Sequence, residues 1–333
     1  MSSGLLYLSA SDVEAAMPPV HERIALAERT MTALVAEAEL PPKIGLHPRP
    51  AGSFAHAMPA ALRPSDGADL LGIKWVTGFP ANRVSGLPAI SAVVVLSDPS
   101  TGRPVAVLDG GPITAQRTAA VSGVALARFG PVAAGRTAGQ GPSVALIGAG
   151  VQGASHLAVI GHVLPGAIVR IHDRHPERAA ALADVARATA GIASADPVPV
   201  ARAATQDADV VITGVSFADP ARRQVMTSDW LQPDALVVPV DYATMCAADV
   251  AREAALFLVD DRGQFLANRD AGQFDGYPDP AATFGEAILA RTARPPAGRV
   301  VATHLGVGLA DVIFADAIVE RARAAGLGTL LPD

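Results

Sequence analysis

The chain has 333 residues, of which 50% are apolar and 17% are charged, and its formal net charge is -6. This composition excludes an intrinsically disordered chain, and the length is typical of about two globular domains. Because 26 basic residues stand against 32 acidic ones, nucleic acid is not an expected partner.

The start of the chain and its hydrophobic pattern indicate a cytoplasmic protein. No basic segment precedes a sustained apolar stretch near residue 1. No segment reaches the ~18 uninterrupted apolar residues that a membrane-spanning helix requires. The single cysteine, Cys246, cannot form an internal disulfide. We therefore expect a cytoplasmic location and no membrane partner.

The first part of the sequence predicts one helix followed by a β-sheet. Residues 11–38 carry apolar side chains near helical spacing, with Ser11 as the N-cap and Glu14 three residues on. Short apolar runs separated by turn residues then predict hairpins. These runs are Phe54–Met58, Gly72–Val76, Ala89–Leu96 and Val105–Leu108. A helix over Thr114–Phe129 and a linker over Gly130–Pro142 follow.

The second part alternates between strands and helices. The expected strands are Ser143–Ile147, Ile168–His172, Val198–Val200, Val210–Thr213 and Leu236–Val240. Helices are expected from Gln152 and from Pro176, and a last helix over Asp311–Ala325 could return to the first domain. Such alternation predicts a parallel sheet with crossover helices.

A glycine-rich loop stands directly after the first of these strands. Its sequence, Gly148-Ala149-Gly150-Val151-Gln152-Gly153, is a full G-x-G-x-x-G placed between a strand and a helix. The first glycine permits a tight turn, the second lets the backbone approach a pyrophosphate, and the third permits close packing of the helix on the strand. The residues expected to bind a dinucleotide here are Gly148, Gly150, Val151, Gln152 and Gly153.

An acidic residue at the expected distance along the chain from this loop indicates which dinucleotide binds. Asp173 ends the apolar strand Ile168–His172, 20 residues (173 − 153) after Gly153. A carboxylate there can accept hydrogen bonds from both ribose hydroxyls and repels a 2′-phosphate. The neighbouring Arg174 could accept that phosphate. We expect NAD as the cofactor, with NADP not excluded.

Asp241 is the first candidate for the chemistry itself. It ends the apolar run Ala235–Val240, and ligands bind beyond the carboxyl ends of the strands in open α/β sheets. A carboxylate there could polarise water or take a proton from an amine. The alternative is an ordinary aspartate at a strand end.

Three cations of the first domain, Lys43, Lys74 and Arg117, stand among apolar residues. A charge in such surroundings needs a partner. The carboxylate of a ligand would supply one, and an internal salt bridge is the alternative.

His56 is either a hydrogen-bonded core residue or a catalytic group. No pairing of Cys and His has zinc spacing, so we expect no metal.

Further motifs occur in a fixed order along the chain. They are Met58-Pro59-Ala60, Gly72-Ile73-Lys74-Trp75-Val76, Phe79-Pro80-Ala81-Asn82 with Gly86-Leu87-Pro88, and Ile113-Thr114-Ala115-Gln116-Arg117-Thr118-Ala119-Ala120, followed by the glycine loop. Through these motifs nearly the whole chain resembles the ornithine cyclodeaminase/μ-crystallin family. The resemblance implies an α/β protein with a Rossmann NAD(P)-binding domain, 126–305. That domain is inserted into an α+β substrate and dimerisation domain, 1–125 with 306–333, and the implied assembly is a homodimer.

The same resemblance implies roles for single residues. Lys74 and Arg117 would bind the carboxylate of the substrate, and Lys43 would stand where the family usually has an arginine with that task. Asp241 would be the catalytic acid/base, with Lys74 also part of the catalytic set. Thr118 would contact the cofactor.

Two features depart from the cyclodeaminases of the family. These enzymes carry a glutamate two residues before the Met-Pro pair, where this chain has His56, which we place among the substrate-binding residues. Their catalytic aspartate follows a Gly-rich stretch and precedes a Pro-Gly-Lys-type loop, whereas here Asp241 follows Val238-Pro239-Val240. Both departures weigh against ornithine as the substrate.

We therefore expect an NAD(P)-dependent oxidoreductase that acts on the C–N bond of an amino acid or its imine, as an amino-acid dehydrogenase or imine reductase. One alternative is a cyclodeaminase that converts ornithine to proline and ammonia while tightly bound NAD is reduced and reoxidised in one turnover. A second alternative is a non-enzymatic NAD(P)-dependent binding protein of the μ-crystallin type. Net consumption of the nicotinamide cofactor separates the first two.

Overall fold

The computed structural model describes residues 4–131 and 141–332, which form sixteen strands and ten α-helices. The strands are β1 (Leu5–Leu8), β2 (Ala38–Glu39), β3 (Ile44–Leu46), β4 (Phe54–Leu62), β5 (Leu70–Gly78), β6 (Ile90–Ser97), β7 (Pro104–Asp109), β8 (Ser143–Ile147), β9 (Ala167–His172), β10 (Ile192–Pro197), β11 (Val210–Thr213), β12 (Leu236–Pro239), β13 (Leu256–Val259), β14 (Ala282–Thr283), β15 (Val300–Thr303) and β16 (Thr329–Leu331). The helices are α1 (Ala10–Ala15), α2 (Val20–Ala36), α3 (Gly110–Phe129), α4 (Val151–Val163), α5 (Pro176–Arg187), α6 (Ala201–Thr205), α7 (Ala248–Arg252), α8 (Arg262–Asp270), α9 (Phe284–Leu289) and α10 (Gly308–Ala325). No helix in these two ranges is long and apolar enough to cross a membrane.

The chain divides into two compact units. Unit 1 consists of Met1–Arg117 with Gly306–Asp333, and unit 2 is Thr118–Leu305. The boundary between Arg117 and Thr118 falls inside α3, earlier in the chain than the predicted boundary at residue 125. The predicted linker, Gly130–Pro142, lies largely outside the described residues, since residues 132–140 are not among them.

Unit 1 contains a mixed sheet with strand order β16-β1-β7-β6-β5-β4-β2, and β3 pairs with β4. Strands β4 to β7 are antiparallel neighbours, as the hairpin pattern predicts, whereas β1 runs parallel to β7. Burial alternates along β5, with Lys74 and Val76 on the covered face and Trp75 on the open face. Helix α10 packs on β4, β5 and β6.

Two glycines bring α10 close to this sheet. A Cβ atom at Gly72 of β5 would lie 2.7 Å from the Val95 carbonyl oxygen and 3.0 Å from the side chain of Val312 in α10. A Cβ atom at Gly308, in the first turn of α10, would lie 2.6 Å from the carbonyl oxygen of Met58 in β4. Larger residues would push the helix away, so these positions set the depth at which α10 lies on the sheet.

Unit 2 contains a parallel sheet with order β10-β9-β8-β11-β12-β15-β13-β14. Its first five strands follow the 3-2-1-4-5 order of a dinucleotide-binding domain. The central strands β8, β11, β12 and β15 are almost wholly buried, as expected for a parallel sheet covered on both faces. The predicted fold class, α/β with a Rossmann domain and a second α+β domain, is confirmed.

Two predicted elements were wrong. The single helix over residues 11–38 is two helices, α1 and α2, because Pro18 and Pro19 lack the N–H that a helix interior requires. Ser9, not Ser11, caps α1, and its hydroxyl accepts a hydrogen bond from the Asp12 N–H. The strand placed at Val198–Val200 lies earlier, as β10, which pairs with β9.

Candidate functional site

A buried cluster of three charged side chains lies in unit 1. The Lys74 Nζ of β5 is 2.6 Å from Asp311 Oδ2 of α10, and Arg117 Nε of α3 is 3.3 Å from Asp311 Oδ1. Lys74 is 1% exposed, Arg117 6% and Asp311 0%. The two predicted cations therefore come together on one carboxylate that the sequence reasoning did not include.

The charges in this cluster do not balance. When Lys74 is protonated, two cations share one carboxylate and the cluster carries one positive charge in excess. Burial lowers the pKa of Lys74 to about 7, although Asp311 acts to raise that pKa and Arg117 lowers it further. A second carboxylate at this place would neutralise the excess charge and favour the ammonium form of Lys74. The arrangement suits the recognition of a ligand carboxylate.

Gly306 gives Arg117 its place in the cluster. Its φ is +80°, a left-handed conformation that favours glycine. A Cβ atom at this position would lie 2.3 Å from Arg117 Nη1 and 2.8 Å from Cζ. The guanidinium therefore lies directly against the backbone that leads into α10, and any side chain at position 306 would displace it.

His56 and Lys43 lie near the same cluster. His56 is in β4, and its ring stacks on Phe54 with 4.7 Å between centroids. Burial lowers the pKa of His56 to about 4, and Lys43, His47 and Lys74 nearby act in the same direction. The imidazole is therefore neutral at physiological pH. Lys43 also lowers the pKa of Lys74, which places it within electrostatic reach of both residues.

The glycine loop of unit 2 has the geometry that a pyrophosphate requires. Gly148 has φ +109°, and a Cβ atom at Gly153 would lie 2.2 Å from the Gly148 carbonyl oxygen. A Cβ atom at Gly150 would have no atom within 4 Å in the part of the chain that the structure describes. The turn and the close packing thus require glycine at 148 and 153, and the space at 150 suits a ligand approaching the backbone.

The first turn of α4 adds two features that fit a dinucleotide. Gly150 is its N-cap, so no side chain caps the amide groups of this turn, which can donate to phosphate oxygens. Val151 is 71% exposed. The Gln152 Oε1 is buried and has no hydrogen-bond partner among the described residues, a condition that a bound ligand can relieve. The loop residues predicted from the sequence therefore fit NAD.

Asp173 follows β9 and contacts the glycine loop. Its Oδ2 accepts a hydrogen bond from the Ala149 N–H at 2.8 Å, and its Oδ1 accepts from the His175 N–H at 2.9 Å. Both bonds fix the carboxylate beside the loop, with Arg174 exposed next to it.

Thr118 is buried in α3. Its predicted contact with the cofactor stays a prediction.

Asp241 lies just beyond β12 and is 2% exposed. Its carboxylate accepts hydrogen bonds from the Val215 N–H at 3.3 Å and the Met245 N–H at 3.4 Å. Burial raises the pKa of Asp241, against hydrogen bonds that favour the ionised form. A carboxyl group with a raised pKa is able to hold and deliver a proton, as a general acid/base must.

The backbone around Asp241 is strained. The next two residues, Tyr242 and Ala243, have φ of +54° and +56°, a left-handed conformation that non-glycine residues adopt at a cost of about 1–3 kcal/mol each. The Tyr242 hydroxyl donates to the Leu305 carbonyl oxygen at 2.8 Å and ties this turn to the end of β15. Strain of this kind is concentrated at functional sites.

Asp311 is the residue that the sequence reasoning missed. Lys74 and Arg117 are cations among apolar residues, which indicates that each has a buried anionic partner. An acidic residue near the start of an apolar helix, as Asp311 is in α10, was the candidate to test. The described residues contain no group of three His, Cys, Asp or Glu side chains that could hold a metal ion, and the expected absence of a metal stays a prediction.

Known proteins are similar to this chain in sequence and in fold. Nodulation efficiency protein NfeD of Rhizobium meliloti is 34% identical over 298 residues, covering 88% of this chain and 87% of that protein. Ketimine reductase mu-crystallin of Mus musculus is 28% identical over 272 residues, covering 80% of each. The structure of Thermococcus litoralis Delta(1)-pyrroline-2-carboxylate reductase in complex with NADH and L-proline superposes with a TM-score of 0.83. It is 26% identical and covers 97% of this chain and 99% of that one.

The model of the ornithine cyclodeaminase/mu-crystallin family matches residues 8–324, which span both units. The expected resemblance is thereby confirmed, and the chain belongs to the ornithine cyclodeaminase/mu-crystallin family.

Proposed function

We propose that this protein uses NADH to reduce the imine of an α-amino acid to the amino acid. The observation that carries the proposal is the buried cluster in which Lys74 and Arg117 share Asp311. Its excess positive charge is suited to the carboxylate that every such imine carries. The substrate, the direction and the roles of the residues are parts of this proposal.

The broader expectation is confirmed: the chain is an NAD(P)-dependent oxidoreductase that acts on the C–N bond of an amino acid or its imine. Its relatives include a ketimine reductase and a pyrroline-2-carboxylate reductase whose structure holds NADH. The glycine loop and Asp173 agree with NAD as the cofactor.

The residues of unit 1 bind and orient the substrate in this proposal. Lys74 and Arg117 donate charge-assisted hydrogen bonds to its carboxylate, which completes their pairing with Asp311. Binding raises the proton affinity of Lys74, because a second anion lies beside its ammonium group. A substrate held in one orientation reacts with a lower entropic barrier.

The residues of unit 2 bind the cofactor and handle the proton. The amide groups at the start of α4 would hold the pyrophosphate, and Asp173 would accept hydrogen bonds from the ribose. When bound, NADH would supply the hydride that Cα of the substrate receives. Asp241, whose pKa burial raises, delivers a proton to the nitrogen, so that imine, hydride and proton together give the amine.

We also propose a homodimer formed through the open face of the unit 1 sheet. Large apolar side chains lie on neighbouring strands of this face: Leu71 and Trp75 are 38% and 39% exposed, and Val93, paired with Trp75, is 37% exposed. An apolar face of this kind supports a protein–protein contact. Sedimentation of the wild type and of Trp75→Glu tests it, with a dimer expected only for the wild type.

A screen of imino and amino acids tests the catalytic proposal. Oxidation of NADH that depends on an α-imino acid supports it. Conversion of ornithine to proline without net change in NADH would instead support the cyclodeaminase alternative, and cofactor binding without any turnover would support the binding-protein alternative.

A further inference from the structure

A chain of buried hydrogen bonds in unit 2 connects three elements near the glycine loop. Ser122 lies in α3, His156 lies in α4, and His304 directly follows β15. The Ser122 Oγ is 2.8 Å from His156 Nε2 and 3.0 Å from His304 Nε2, and His156 Nδ1 is 2.6 Å from the carbonyl oxygen of Gln152. Ser122 and His156 are 0% exposed and His304 is 3% exposed, so these hydrogen bonds are shielded from solvent.

The direction of every hydrogen bond in this chain follows from its last acceptor. The Gln152 carbonyl oxygen can only accept, so His156 Nδ1 carries a hydrogen. Burial lowers the pKa of His156 to about 4, and in the neutral ring the other nitrogen, Nε2, is an acceptor. Ser122 therefore donates its single hydroxyl hydrogen to His156 and accepts from His304 Nε2. The donors run in one direction, from His304 through Ser122 and His156 to Gln152.

This chain fixes position and polarity and does not transfer a proton. A relay needs a terminal group that takes up a proton and releases it, and the peptide carbonyl is not among the groups that titrate in proteins. Aligned hydrogen bonds in a low-dielectric interior polarise one another, and each is strengthened by about 10–30%. The effect of the whole chain is therefore delivered at its last acceptor, the Gln152 carbonyl.

The Gln152 carbonyl belongs to the peptide group that joins Gln152 to Gly153. This peptide lies in the first turn of α4, where the first N–H groups have no acceptor within the helix. A hydrogen bond to a peptide carbonyl makes the N–H of the same peptide a stronger donor. The chain from His304 thus strengthens the Gly153 N–H at the helix end that suits phosphate oxygens.

We propose that Ser122 and His156 are positioning residues for the cofactor, which hold the first turn of α4 in place and polarise its amide groups toward the pyrophosphate. Both act through the Gln152 carbonyl rather than by contact with the dinucleotide. The inference rests on the proposed function only in that the glycine loop binds the pyrophosphate of NAD. It is independent of the substrate and of the direction of the reaction.

Two probes separate an effect on the pyrophosphate from a general loss of structure. ADP-ribose contains the pyrophosphate and adenosine does not. The dissociation constant of ADP-ribose for the full chain is measured by calorimetry, and that of adenosine by its displacement of ADP-ribose. Ser122→Ala should raise the constant of ADP-ribose, and also that of NADH, about three- to tenfold, the effect of one lost hydrogen bond. The constant of adenosine should stay near that of the wild type.

Thr205→Val is the matched control. The Thr205 hydroxyl is also buried in unit 2, where it donates to the Arg202 carbonyl oxygen at 3.1 Å. Thr205 ends α6, near the amino end of β11, whereas the glycine loop follows the carboxyl end of β8. This variant should bind both probes as the wild type does. Equal losses of affinity for ADP-ribose and adenosine in Ser122→Ala, or no loss for either, would overturn the proposal.

A pair of substitutions at His156 tests the donor itself. In His156→Asn the amide nitrogen of the side chain can take the place of Nδ1 and donate to the Gln152 carbonyl, whereas His156→Leu has no donor. His156→Asn should therefore bind ADP-ribose more tightly than His156→Leu does. Equal affinities of the two variants would contradict a role for this hydrogen bond.

The histidine tautomers test the same chain without any substitution. Long-range proton–nitrogen NMR spectra of the full chain distinguish a hydrogen on Nδ1 from one on Nε2. We expect His156 to carry its hydrogen on Nδ1 and His304 to carry one on Nε2, with and without NADH. A neutral His156 with its hydrogen on Nε2 would overturn the proposal, even if Ser122→Ala does not fold. None of these measurements needs turnover, so failure to reduce an imine bears on the proposed function alone.

Discussion

The ammonium nitrogen of Lys74 lies 2.6 Å from a carboxylate oxygen of Asp311, and neither side chain is more than 1% exposed. The two residues are far apart in the sequence and meet because α10 packs on β5. Asp311 also pairs with Arg117. A single acid therefore holds together the two cations that we assign to the substrate carboxylate.

Replacement of this acid should be strongly destabilising. Asp311→Asn leaves the buried Lys74 and Arg117 without an anion, and breaking a buried ion pair by removing one partner typically costs about 3–5 kcal/mol of unfolding free energy. Denaturant unfolding measures the loss. Glu320→Gln, at an exposed position of the same helix, is the control and should stay within about 0.5 kcal/mol of the wild type. An unfolding free energy of Asp311→Asn equal to that of the wild type would show that the charge of Asp311 does not stabilise the cluster.

The affinity for a carboxylate substrate should decrease above neutral pH. Lys74 has a pKa of about 7 in the free protein, so its neutral form predominates at higher pH. Binding of an anion favours the charged form and takes up a proton, and KM should therefore rise by up to about tenfold per pH unit above pH 7. Steady-state kinetics between about pH 6 and 9 measure this rise.

Lys74→Met provides the control for that pH dependence. Its KM should be raised about 10- to 100-fold at neutral pH, because a charge-assisted hydrogen bond is lost, and should change little with pH, because Arg117 keeps its charge. NADH affinity should stay near that of the wild type. A wild-type KM that is the same at pH 6 and pH 9 would exclude Lys74 as the titrating group.

Asp241→Asn should affect the chemical step more than binding. Asparagine keeps the size of the side chain and one oxygen that can accept from the N–H groups of Val215 and Met245, but it cannot deliver a proton. Loss of a general acid/base typically lowers the rate about 10²- to 10⁴-fold. We expect kcat to fall within that range, with NADH affinity and thermal stability near wild type. A near-normal kcat would show that another group is the general acid/base, and His56 would be the next residue to test.

Asp173 should make the protein prefer NADH over NADPH. Its carboxylate is fixed beside the glycine loop by the Ala149 and His175 N–H groups and would repel a 2′-phosphate. Fluorescence titration should show that the wild type binds NADH more tightly than NADPH. Asp173→Ser should weaken the binding of NADH and reduce the difference between the two affinities. If NADPH binds the wild type more tightly, the exposed Arg174 controls the choice.

The sequence predicted the parts of the fold that local patterns encode. The alternation of strands and helices after residue 143 and the G-x-G-x-x-G at Gly148 give the dinucleotide-binding unit, because hydrophobic period and glycine placement act over a few residues. The break at Pro18-Pro19 was equally local and was missed because the apolar spacing continues on both sides of it. The cytoplasmic location and the homodimer stay predictions.

The site was predictable only in part. Lys74 and Arg117 could be recognised as charges that need a partner, but Asp311 is 237 residues (311 − 74) from Lys74 and no local pattern links them. Their contact depends on the depth at which α10 lies on the sheet, which Gly72 and Gly308 set through tertiary packing. The low pKa of His56 likewise depends first on its burial and then on Lys43 and Lys74, all of which result from the strand pairing.

The stoichiometry of the cofactor reaction tests the central claim most directly. A cyclic or open-chain α-imino acid with an uncharged side chain is incubated with the protein and excess NADH, and both NADH loss and amino-acid gain are followed. We predict that one NADH is oxidised for each amino acid formed, and that the reaction stops when NADH is exhausted. Amino-acid formation with no net loss of NADH, or no reaction with any such imine, would contradict the account.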